Sequence, residues 1–227
     1  MAGRLRMWAN LGGLAFAVLA VVGVAMLFDG PMDGSPAKMA AWYGSDSHRT
    51  MVNVGWVLSG LALFFLVWFV GAAREHVARA ERAADSETSF LSTIVTIGGA
   101  VFVAVAFGVI GLADGIKTMS DDTYHHQVYS GVIHAAGDAS YIMLVGGGVA
   151  LATMIFALAA AIFAFGLAPR WVGWFGVVAG VAAIFSLFFF TMILWLLWVA
   201  VVSVTLFLRE RSAPVTSGRA ATAAPAA

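Results

Sequence analysis

Two acids and two imidazoles fall within six residues at Asp121-Asp122-Thr123-Tyr124-His125-His126, and His134 and Asp138 follow, four residues apart. Imidazole nitrogen and carboxylate oxygen together suit Zn²⁺ and related divalent ions. In a helix His134 and Asp138 share one face. The set His125, His126, His134, Asp138 and Asp122 is therefore the candidate metal site, and no other cofactor is expected. A plainer reading gives the same residues a hydrated loop, with His134 and Asp138 as an i,i+4 pair. The zinc-protease spacings H-E-x-x-H and H-x-x-E-H are absent. Ser130 and Ser140 flank His134, so a nucleophile beside a base can be written down. Residues six apart on one helix point in different directions, and no catalytic residue is assigned.

The elements that must position these groups follow from composition. Hydrophobic residues make up 62% of the 227 residues and charged residues 11%, against roughly 45–50% and 25% in soluble domains. Mean hydropathy is +0.94. Too few charges remain to cover a water-exposed surface, so the chain reads as an integral membrane protein. Twelve Lys and Arg balance twelve Asp and Glu, which argues against a nucleic-acid partner. With no cysteine, disulfides, thiolate metal sites and cysteine nucleophiles are excluded.

A membrane-crossing helix needs about 20 apolar residues. Runs of that kind predict spans at about 8–28, 51–73, 89–113 and 139–168. From Trp171 to Leu208 there are 38 residues without a charge. One straight helix of that length would measure ~57 Å against a hydrocarbon core of ~30 Å. Two spans, about 171–187 and 190–208, fit better, with a turn near Ser186 to Phe190. The fold class is then all-α, a polytopic transmembrane bundle over 1–211 with six spans and both termini cytoplasmic. Residues 212–227 read as a disordered tail. Six spans put nine basic residues inside and three outside (Lys38, Arg49 and Lys117), as the positive-inside rule expects. A single last span would split them six to six. The first apolar run is longer than a signal-peptide core, so it is read as a retained span.

Four of the five histidines and seven of the twelve acids then lie on the outer side. The loop Arg74–Glu87 reads as a charged helical extension of span two, with Glu75 and Arg79 paired at i,i+4. Trp171 and Trp174 read as an interfacial belt, and Trp195 and Trp198 as lipid contact or bundle core. Gly176-Val-Val-Ala-Gly180 has the small-xxx-small spacing that lets helix backbones approach. Those glycines serve packing within the bundle, or a homo-oligomer or partner face.

The segment Leu167-Ala168-Pro169-Arg170-Trp171-Val172-Gly173-Trp174-Phe175-Gly176 precedes the last apolar run, which Arg209-Glu210-Arg211 ends. With Ala40-Ala41-Trp42-Tyr43 before span two, this pattern resembles small six-span membrane proteins of high-GC bacteria, families of unknown function. The resemblance implies a six-helix bundle in the plasma membrane and carries over no functional residue. The expected function is that of a multi-pass, non-enzymatic membrane protein whose partners are the bilayer and another membrane complex. Two alternatives are an outward-facing small-molecule or divalent-metal binding or transport protein, and a lipid-modifying enzyme.

Overall fold

The computed structural model describes residues 2–31, 35–84, 89–118, 130–186 and 189–212. Among them there is helix and no strand. The helices are α1 (Ala2–Asn10), α2 (Gly12–Leu27), α3 (Pro36–Tyr43), α4 (Asp46–Ala83), α5 (Phe90–Thr118), α6 (Ser130–Phe165), α7 (Arg170–Ile184) and α8 (Met192–Ser212). Among the described residues five helical stretches are long and apolar enough to cross a membrane: Met7–Leu27, α4, Phe90–Gly115, Gly131–Phe165 and α8. Their outward faces are apolar too. Val18, Val22, Phe64, Val67, Ile97 and Leu197 are each exposed, so these helices are hydrophobic all round, as lipid-solvated helices are. The chain is built as a membrane protein.

The uncharged run from Trp171 to Leu208 is broken. α7 has 15 residues, about 22 Å of helix. A 3-10 turn at Phe189–Thr191 leads into α8, and the Thr191 hydroxyl donates to Phe185 O at 3.0 Å. Leu187 and Phe188 lie outside the described residues, as do 213–227 of the expected tail.

Taken in order, α2, α4, α5, α6, α7 and α8 run antiparallel, and side-chain neighbours fix the register. Gly12 and Gly23 on α2 face Phe65 and Ser59 on α4, and Gly98 on α5 faces Met154 on α6. Trp8 lies near Phe207, and Phe16 near Trp195. This alternation brings the start of α1 and the end of α8 to one end of the bundle, here called the basal end. Gly166 ends α6 in a left-handed conformation, φ +62°, which only glycine adopts at little cost. Its carbonyl accepts from Arg209 of α8.

At the apical end the Ser35 hydroxyl caps α3 by accepting from Lys38 N at 3.3 Å. Met39 and Tyr43 of α3 bury against Ile133 of α6. Trp42 stacks on His48, centroids 4.4 Å apart, while His48 Nδ1 lies 3.0 Å from Trp42 O. Burial pushes the Tyr43 phenol above its ordinary 10.0.

Candidate functional site

Of the five candidate metal ligands, Asp122, His125 and His126 lie outside the described residues. His134 and Asp138 stand on α6, both exposed to the surroundings of the bundle. Ser140 is buried and spends its hydroxyl on Ala136 O of its own helix, at 2.8 Å. Hence the serine does not share the exposed face of His134. Among the described residues no three His, Asp or Glu side chains gather around one point.

The described polar side chains that do converge lie at the basal end. Asn10 of α1 is fully buried, and His76 of α4 nearly so. Asn10 Nδ2 donates to Glu210 Oε2 of α8 at 2.9 Å. His76 Nε2 lies 3.1 Å from Asn10 Oδ1 and 3.3 Å from Glu210 Oε2. Arg79 Nη2 lies 3.2 Å from His76 Nδ1 and 4.0 Å from Glu210 Oε1. A guanidinium has no acceptor, so Nδ1 must accept and the imidazole proton sits on Nε2. That proton then faces the oxygens of Asn10 and Glu210. The knot ties together three helices whose members are up to 200 residues apart in the chain, and it places the Glu210 charge beside that of Arg79.

Two neighbouring contacts close the same end. The Ser203 hydroxyl of α8 donates to Asn10 O and accepts from Leu14 N at 3.0 Å. It therefore sits in the gap where a regular helix would join Asn10 O to Leu14 N–H, and the break between α1 and α2 is the result. Glu81, buried near the end of α4, accepts from Leu91 N at 2.7 Å and Ser92 N at 3.3 Å. Its carboxylate thereby caps the positive N-terminus of α5.

Higher in the bundle α2, α4, α5 and α8 splay apart around a cavity of about 300 Å³, at the lower end of the size range of small-molecule pockets. Ala20, Ala62 and Ala106 face it from three helices, and their small side chains leave the space that leucines would fill. One wall is aromatic. Trp195 lies nearly parallel to Phe16 (6.2 Å, 17°) and edge-on to Phe102 (5.9 Å, 76°). Val21, Phe190 and Ile193 both line the cavity and are exposed. The cavity therefore reaches the outside of the bundle between apolar side chains of α2 and α8.

Comparison with protein-family models, with curated proteins and with solved structures found no match for this chain.

Sequence reading placed the polar chemistry at the apical end and treated Arg74–Glu87 as a surface extension. The Glu75–Arg79 pair does form, at 3.7 Å. However, His76 and Glu81 on the same stretch are buried. Periodicity carried a signal for this. His76 lies three residues beyond Ala73 and seven beyond Phe69, both buried, so it continues the inward stripe of α4. The cavity has no such signal, because alanine marks a void and a tight contact alike.

Proposed function

We propose that this chain is a plasma-membrane protein with six crossings and both termini in the cytoplasm, and that its work is to bind an apolar molecule drawn from the bilayer. The observation that carries the reading is the cavity between α2, α4, α5 and α8. Its lining is apolar, and its mouth lies among side chains of the lipid-facing surface. An occupant therefore arrives from hydrocarbon. An apolar space of about 300 Å³ left empty would forfeit the van der Waals contacts of its lining, which favours its occupation by an apolar molecule. The six-crossing arrangement draws support from the antiparallel succession of helices and from the nine basic residues it keeps inside.

Equilibrium dialysis of the purified protein in detergent micelles against 2-methylnaphthalene tests the reading. Ala106→Phe, which fills the cavity from α5, is the reference. Wild type should retain about one equivalent more than the variant at saturation. Equal retention by both would remove the cavity as a binding site.

A further inference from the structure

Two of the buried polar atoms that lack a hydrogen-bond partner among the described residues belong to residues lining this one cavity: Ser59 Oγ and Trp195 Nε1. They differ in setting. Ser59 Oγ is pressed against the backbone of α2, where even a Cβ on Gly23 would lie only 2.7 Å from it. The indole of Trp195 is held by Phe16 and Phe102, neither of which offers an acceptor, and Trp195 is 5% exposed. The same helix shows how an indole is satisfied when structure alone decides. Trp198, fully buried, donates Nε1–H to Val172 O at 2.9 Å. A buried donor left without an acceptor carries its whole desolvation penalty. Phenylalanine at 195 would supply a stacking ring without that penalty.

We propose that Trp195 Nε1–H is the specificity-determining donor of the cavity, and that the ligand is an apolar molecule bearing a carbonyl oxygen. This rests on the binding reading above and narrows it to a chemical class. A carbonyl oxygen accepts one N–H bond and adds little polar surface, so it suits a site with one donor in an apolar wall. Two bilayer sources carry that group: the ring of a quinone and the ester of an acyl lipid.

The experiment uses matched probes on the full chain in micelles. The quinone arm compares 2-methyl-1,4-naphthoquinone with 2-methylnaphthalene. The ester arm compares methyl nonanoate with decane. In at least one arm the carbonyl compound should bind wild type about tenfold tighter than its hydrocarbon mate, as one hydrogen bond of ordinary strength gives. Trp195→Phe, which keeps the aromatic wall, should bind the hydrocarbon as before and lose the preference. Ser59→Ala should keep it. The arm with the Trp195-dependent gain names the source. Hydrocarbons that bind without any carbonyl preference, or a preference that survives in Trp195→Phe, overturn the donor assignment and leave the cavity reading standing. A preference lost in Ser59→Ala but kept in Trp195→Phe moves the donor to the serine and overturns it equally. Failure of all four probes to bind wild type removes the reading and the inference together.

Discussion

Ser203 fills both halves of a missing helical hydrogen bond, giving its proton to Asn10 O and its lone pair to Leu14 N–H. In hydrocarbon neither backbone group can turn to water instead. Ser203→Ala should therefore lower the unfolding free energy by about 2 kcal/mol. Reversible unfolding in mixed micelles with rising dodecyl sulfate would measure this, with faster amide exchange at Leu14 as the local sign. A loss under about 0.5 kcal/mol would mean that Asn10 O and Leu14 N–H can close on each other and that the serine does not set the break. Nothing in the sequence distinguishes Ser203 from Thr205, which bonds back to Val201 O of its own helix at 2.7 Å. The difference is made by what packs opposite. The same holds for Asn10, whose neighbours in the sequence give no sign of the groups it meets. Its partners His76 and Glu210 are brought to it by the fold.

At the scale of helices, glycine position decides how close two backbones come. A Cβ on Gly98 would lie 2.7 Å from Met154 N and 2.8 Å from Ala150 O, both backbone atoms of α6 that cannot swing aside. One on Gly111, on the same helix, meets nothing within 4 Å. Gly98→Ala should push α5 from α6 and cost about 2 kcal/mol. Gly111→Ala should be neutral or gain up to about 1 kcal/mol from helix propensity. The two variants, compared in one unfolding assay, separate packing from propensity; equal effects would mean that α5 and α6 do not approach as closely as described. Gly176 of the small-xxx-small stripe is also spent within the bundle. A side chain there would lie 2.9 Å from Trp198 Nε1 and would crowd the indole that reaches Val172 O. Spacing alone identified Gly176 and Gly180 as contact points. It left open whether the contact lay inside one chain or between two.

For the whole molecule, composition made the membrane class legible, since no arrangement of so few charges could face water. Crossing number is a finer matter, and it turns on α7. At about 22 Å this helix is shorter than a ~30 Å hydrocarbon core, so α7 alone would leave a crossing incomplete. A sixth crossing therefore requires the segment between α7 and the turn at Thr191 to supply the missing depth. Arg209 at the end of α8 bonds to Gly166 O, four residues before Arg170 opens α7, which keeps these two arginines at one level. If α7 and α8 formed a single crossing, the basic residues would divide six to six and the positive-inside bias would vanish. The chain has no cysteine, so single introduced cysteines report position without background. Ala37→Cys on α3 should react with an impermeant maleimide on intact cells. Ala84→Cys and Ser212→Cys, at exposed basal positions, should react only after permeabilisation. Labelling of Ser212→Cys on intact cells, with Ala84→Cys still protected, would place the tail outside and reduce the bundle to five crossings. Most of the cavity's lining would survive that result, because it comes from α2, α4, α5 and α8 and none of it from α7.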